Sequence, residues 1–261
     1  RTKDNGKYNI AGNTGKKKCA AFNWLKGVTA VLCAVVMYFA VTIGIRGYDM
    51  YKDAIAQVSL KDKVSEIRSK ESYTVFSDLP ETYTDAVLSV EDHRFYGHIG
   101  IDPIAITRAM VNDVKAGRFV EGGSTITQQL AKNLYFTQEK KMERKAAEVF
   151  MAFALEKEYS KNEILELYVN TIYFGNGYYC IKDASEGYFG KAPEDMDDYE
   201  STLLAGVPNA PSKYAPTVNP ALAAKRQEQV LERLVECGLF TEKRARETMA
   251  ETREYQEPDA A

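Results

Sequence analysis

The order of apolar and polar positions divides this chain into a polar start, one long apolar run and a series of amphipathic segments. Residues 1–18 are polar, with Gly, Asn and Lys prominent, and read as a disordered tail. Gly27 to Ile45 is apolar except for Thr29 and Thr42, and Lys26 and Arg46 bound it. Its length is close to the roughly 20 residues that cross a bilayer. A cleaved signal peptide would have a shorter apolar core, roughly 7–15 residues, with small residues at a cleavage site. Arg46-Gly47-Tyr48-Asp49 offers no such site. The pattern therefore predicts a basic cytoplasmic tail over 1–23 and an uncleaved transmembrane anchor over 24–46. Lys16-Lys17-Lys18 sets the N-terminus inside by the positive-inside rule, and the chain beyond residue 46 outside.

Beyond the anchor the period becomes helical. Met50/Tyr51, Ala54/Ile55, Val58, Val64 and Ile67 predict one juxtamembrane helix from Tyr48 to Ser69, within a linker region 47–75. Tyr73-Thr74-Val75-Phe76 reads as a short strand. A main domain is expected over 76–252, with a frayed tail at 253–261. Thr84 is expected to cap a helix to about Asp92, with Val87, Leu88 and Val90 inward. Pro103 to Lys115 reads as a helix with proline in its first turn. Val120-Glu121-Gly122-Gly123 reads as a turn. Thr125-Ile126-Thr127-Gln128 and Ser160-Lys161-Asn162-Glu163 have capping-box spacing. They open helices to about Leu134 and Asn170. Between them Glu139 to Tyr159 reads as a long helix with a stripe of Met142, Ala146, Val149/Phe150 and Phe153/Ala154. Further helices are expected at Asp183–Phe189, Asp197–Gly206, Pro220–Cys237 and Thr241–Thr252, with Gly175-Asn176-Gly177 as a loop. The fold class is mainly α, and no repeat at a fixed period points to a solenoid.

Charge sharpens this picture. The formal net charge is −3, but residues 1–26 hold seven Lys/Arg and one acid. The remainder carries 27 Lys/Arg against 36 Asp/Glu, a net of −9. A folded part that acidic disfavours nucleic acid as a partner. Four cysteines are too few for a disulfide scaffold. Cys180 and Cys237 read as buried thiols, with a bridge between them as the alternative. Two isolated histidines give no metal-ligand spacing, and His98, between Gly97 and Gly100, reads as a loop-holding residue.

Candidate chemistry concentrates between Val90 and Glu148. Glu91 falls at the C-terminal end of its helix, where the dipole disfavours an anion. That suits a general base, although a solvated surface glutamate has the same spacing. Gly122-Gly123-Ser124-Thr125 leads into a helix start, where free N–H groups favour phosphate; an ordinary capped helix reads the same way. It lacks the Walker spacing. Gln128 and Lys132 share a face. Lys140, Arg144 and Glu148 recur at i, i+4 and i+8, with Lys141 and Lys145 on the adjacent stripe. Alone this is a solvated charged face; beside the glycine-led helix start it becomes a candidate anion grip.

At these residues the chain resembles a known family, the peptidoglycan glycosyltransferases. These form the transglycosylase domain of class A penicillin-binding proteins and their monofunctional relatives. The resemblance is carried, in order, by Glu91-Asp92-x-x-Phe95-x-x-His98-x-Gly100 and by Gly122 to Gln129 with Lys132-Asn133. Arg144-Lys145-x-x-Glu148 and Lys161-x-x-Ile164-Leu165-Glu166-x-Tyr168-x-Asn170 continue it, and Leu204 to Ser212 is also family-like. It covers about residues 76–236. It implies a lysozyme-like, two-lobed helical domain that polymerises lipid II and releases undecaprenyl pyrophosphate with inversion. Glu91 would deprotonate the acceptor 4-hydroxyl. Glu148 would order the site or assist the leaving group. Asp92, Phe95, Arg108, Gly123, Ser124, Thr125, Gln128, Gln129, Lys132, Asn133, Lys140 and Arg144 would bind substrate. Lys140 aligns where many members have Arg or Lys.

The resemblance further implies lipid II, the growing glycan strand, the bacterial membrane and other wall-building proteins as partners. It implies no required cofactor, with Mg²⁺ or Mn²⁺ as stimulants, and sensitivity to moenomycin. The transpeptidase signatures Ser-x-x-Lys and Lys-Thr-Gly do not occur after Glu148, so the sequence reads as a monofunctional enzyme or a piece of a longer one. A lysozyme-like glycan hydrolase and a non-catalytic cell-wall scaffold are the competing readings.

Overall fold

Helix α1 spans Gly12–Gln57 without a break. The computed structural model describes residues 12–118, 122–137, 139 and 141–256. The chain divides into two units, Arg1–Arg46 and Gly47–Ala261. In the first, Lys26 onward is long and apolar enough to cross a membrane, with a mean hydropathy of 2.4 over its most apolar window. The expected disorder of residues 1–18 is corrected in part. Residues 12–18 are helical, and 1–11 lie outside the described residues.

The second unit begins with the end of α1. The single helix expected over 48–69 is two: α1 stops at Gln57, and α2 runs Leu60–Arg68. Ser59 makes the division, because its side chain accepts from Asp62 N and starts a new helix. The expected strand at 73–76 is also absent; no strand occurs among the described residues. Thr74 instead pairs with a side chain. Its N–H donates to Asn170 Oδ1 and its carbonyl accepts from Asn170 Nδ2, each at 2.8 Å. An amide side chain thus supplies the two bonds a neighbouring strand would have made.

Helix α3 is Glu81–Glu91. It starts three residues before Thr84, whose hydroxyl donates back to Glu81 O. Val87 is buried as expected, while Leu88 and Val90 are only partly buried. α4 is Pro103–Ala116, α5 Ile126–Tyr135, α6 Met142–Glu158 and α7 Lys161–Val169. Both predicted capping boxes, at Thr125/Gln128 and Ser160/Glu163, are formed. α8 is Ile181–Phe189, α9 Asp198–Gly206 and α10 Pro211–Tyr214. α11 is Pro220–Glu236, and α12 runs Glu242–Gln256, past the predicted Thr252.

α9 is the central helix, buried from Tyr199 to Gly206, and α3 and α11 pack against it. A helix covered on every side belongs in a core. Gln227, buried beside it, donates to Tyr199 O and Thr202 Oγ1. α6 corrects the predicted stripe. Its core face is Ala147, Met151 and Leu155, with Glu148 and Ala152, while Met142 and Phe153 are exposed. Part of the predicted stripe meets α1: Tyr48 packs edge-on against Phe150, and Gly47 lies against Ala146. Both Cys180 and Cys237 are free thiols, and Cys237 is exposed at the end of α11 rather than buried.

Candidate active site

The end of α3 and the start of α5 are stitched together by Asp92. Its carboxylate accepts from Ile126 N at 3.0 Å and from His98 Nε2 at 2.9 Å. His98 Nδ1 accepts from Gly100 N, which leaves Nε2 as the protonated nitrogen. Thr125 Oγ1 donates to Gly100 O at 2.6 Å. Gly100 has φ +97°, and a Cβ there would meet the backbone of Ala152 at 3.2 Å. Only glycine fits that approach. The predicted loop-holding role of His98 is thus what the geometry gives.

This stitching corrects one expectation. Three N–H groups at the start of α5, those of Thr125, Ile126 and Gln128, are already taken by side chains of the protein. Asp92 takes Ile126 N, and Thr125 takes Gln128 N. A carboxylate of the chain already occupies the place an external anion would take. Gln128 is buried and spent in the capping box. Phe95 is a core ring, 1% exposed, with Lys161 Nζ 4.4 Å above it.

What faces outward is a cleft of about 790 Å³. Glu91 and Lys132 both line it, with Arg108, Gly123, Ser124, Thr125 and Gln129. Gly123 passes within 3.2 Å of Ile106 measured from its would-be Cβ, so α4 closes against this loop. Gln129 Nε2 donates to Glu91 Oε2 at 2.7 Å. Glu91 Oε1 is buried with no hydrogen-bond partner among the described residues. A carboxylate has about four acceptor positions, so Glu91 keeps capacity for a proton. The Lys132 ammonium makes no hydrogen bond or ion pair among the described residues. Burial pushes its ammonium below the ordinary lysine range; Glu148 and Glu91 pull upward, and Arg144 and Lys145 push down.

Glu148 lies off the cleft wall. It is 1% exposed and clamped. Arg144 donates to one oxygen, and Lys145 Nζ donates to the other at 2.9 Å. Lys145 also donates to Ser124 Oγ at 2.7 Å. Arg144 Nε donates to Glu139 O. Glu148 therefore arranges cations behind Lys132. Asn133 is exposed and off the cleft wall. Lys140 lies outside the described residues.

Sequence reasoning missed the opposite wall. Pro208, Asn209 and, from α11, Arg226, Gln229, Glu232 and Arg233 complete the cleft. Arg226, Gln229 and Arg233 recur at i, i+3 and i+7, a polar line flanking the buried face of Ala223, Val230 and Leu234. That line was the available signal, but nothing local ties it to Glu91. Burial first, then Arg108, Arg233 and Arg94, hold the His93 imidazole below its ordinary value.

Asp102 anchors the far rim as the cap of α4. Burial would raise its carboxyl, but Arg94 and the N–H groups of Ala105 and Ile104 win and hold it below the usual range. Its native value is depressed, so its stabilisation is full above the unfolded value, about 3.9. That contribution disappears as pH falls through the native value. The Tm gap between wild type and Asp102→Asn is expected to be constant from pH 7 to 5 and to shrink below about pH 4. A gap that widens on acidification would contradict this pairing.

A helical scaffold that sets a carboxylate and an ammonium, both short of partners among the described residues, in one cleft is a layout for acid–base work beside an anion. The family model described as "Transglycosylase" matches residues 60–235. The chain is 45% identical over 172 residues to penicillin-binding protein 1A of Aquifex aeolicus, covering 66% of this chain and 24% of that protein. It is 42% identical over 185 residues to penicillin-binding protein 1F of Bacillus subtilis, covering 70% and 26%. It is 37% identical over 246 residues to penicillin-binding protein 2D of the same organism, covering 92% and 36%. The chain belongs to the transglycosylase family. It spans about a quarter to a third of the length of these curated relatives.

Proposed function

We propose that this chain is a membrane-anchored peptidoglycan glycosyltransferase that polymerises lipid II into β-1,4-linked glycan. The observation that carries this reading is the sharing of one cleft by Glu91 and Lys132. Glu91 takes the proton of the acceptor 4-hydroxyl as its oxygen attacks the anomeric carbon of the growing strand. The bond from that carbon to the diphosphate oxygen breaks, and its electron pair leaves with undecaprenyl pyrophosphate. Lys132, backed by Arg144 and Lys145, meets the charge that develops there. Attack opposite the leaving group inverts an α-linked donor to a β linkage.

Asp92 and Asp102 have their oxygens committed to protein partners, so we place no resident metal on them. Stimulation by Mg²⁺ or Mn²⁺ would act on the substrate's diphosphate. Other wall-building proteins are the natural partners of such an activity. The N-terminus lies inside, with the catalytic domain outside the cytoplasmic membrane.

The deciding experiment is incubation of the reconstituted chain with purified lipid II. Long moenomycin-sensitive polymer is expected. Shortening of preformed glycan would make it a hydrolase, and neither product would make it a scaffold.

A lipid-borne substrate also needs a face for the bilayer surface. α4 supplies one: Ile104, Met110 and Val114 are 63%, 64% and 82% exposed. Exposed apolar patches of this kind mark interaction surfaces. Met110→Asp with Val114→Asp is expected to raise KM for lipid II in vesicles about tenfold, the loss of roughly 1.4 kcal/mol. The same pair is expected to leave kcat within about twofold. An unchanged KM would remove α4 from the membrane surface.

A further inference from the structure

Glu91 depends on more than its direct partner. Gln129 Nε2 donates to Glu91 Oε2, and Gln129 Oε1 in turn accepts from the Tyr168 hydroxyl at 3.3 Å. Tyr168 is fully buried in α7, whose start is pinned by the Ser160/Glu163 box. A primary amide has a donor end and an acceptor end of nearly equal shape. Something must decide which end meets the carboxylate. Reversed, Gln129 would set its oxygen against a Glu91 oxygen. A phenol that donates to Oε1 selects the productive orientation. Burial first, then the charge of Glu91, push the Tyr168 hydroxyl well above its ordinary value, so it keeps the proton it donates. The Gln129 bond is also the one side-chain hydrogen bond to Glu91 among the described residues, since Oε1 has none.

We infer that Tyr168 is a positioning residue: its hydroxyl fixes the Gln129 amide, which holds the Glu91 carboxylate toward the hydroxyl it deprotonates. This rests on the glycosyltransferase reading. The relay links three helices, α7, α5 and α3, and ends at the Glu91 carboxylate. Tyr168→Phe removes one oxygen atom and keeps the ring in its core site.

The test is steady-state polymerisation of lipid II by the full chain with Tyr168→Phe, Gln129→Leu and both together, alongside melting curves. Tyr168→Phe is expected to lower kcat about tenfold, the scale of one positioned hydrogen bond. KM should stay within about twofold, as for an interaction felt in the transition state alone. Gln129→Leu should lose at least as much, and the double variant no more than Gln129→Leu, because Tyr168 acts through Gln129. Full kcat in Tyr168→Phe, or losses that multiply in the double variant, would overturn the relay. If Tyr168→Phe melts below the assay temperature, wild type and variant are compared at a temperature where both stay folded: equal kcat there overturns the relay, and a tenfold loss at constant KM supports it. A wild type that makes no polymer overturns the activity itself and this inference with it. An active wild type with either contrary result overturns the relay alone.

Discussion

Glu91→Gln is expected to lower kcat for polymerisation by about 10³-fold, within the range of roughly 10²–10⁴ for a general base, and to leave Tm unchanged or slightly higher. The amide has nearly the shape of the carboxylate and still accepts from Gln129 Nε2 through its own oxygen. It cannot take the proton of an attacking hydroxyl. The stability side of the expectation comes from the other oxygen. Glu91 Oε1 is buried without a partner among the described residues, and a buried charged acceptor left unsatisfied costs free energy. Replacing it with a neutral group relieves part of that cost, the usual trade at a site kept for function. Retained polymerisation would remove Glu91 as the base. A large fall in Tm would mean that Glu91 holds the fold, and the lost activity would then say nothing about chemistry.

Much of the scaffold around Glu91 was legible because it is built from local signals. The boxes at Thr125/Gln128 and Ser160/Glu163 are four-residue features. Asn219-Pro220 and Gly190 mark helix ends by backbone rules that need no tertiary partner. The misreadings fall where a distant segment decides. α6 has apolar residues on two faces, and the sequence does not say that Tyr48 and Gly47 take one while the core takes the other. Thr74 looked like a strand because its partner, Asn170, lies 96 residues away. The same holds for the site. Glu91, Asp92 and the loop to Lys132 are near in sequence, and their grouping was readable. Which acids are free and which are spent was not. Asp92 and Glu148 look as available as Glu91 in the bare sequence, yet one closes a helix start and the other is clamped by two cations. The α11 wall required the fold outright.

Glu148 separates two accounts of the second carboxylate, and Glu148→Gln is the variant that reads them. As an acid acting on the leaving group, it would lose kcat with little change in Tm. The geometry predicts both losses. Arg144 and Lys145 share this one carboxylate, which is 2% exposed at the side chain. Removing its charge leaves two cations beside Lys132 with no anion between them. Breaking a buried pair costs about 3–5 kcal/mol. Lys145, 40% exposed, is screened by solvent and contributes the smaller share. The expected outcome is a Tm lower by roughly 10 °C and kcat lower by about 10²-fold as the cations that meet the diphosphate spread apart. Adding Arg144→Met to Glu148→Gln should restore part of the Tm, because taking out both members of a buried pair costs less than taking out one. It should not restore kcat, since the guanidinium is gone. A Glu148→Gln chain that melts like wild type would overturn the clamp and return Glu148 to the proton-transfer groups.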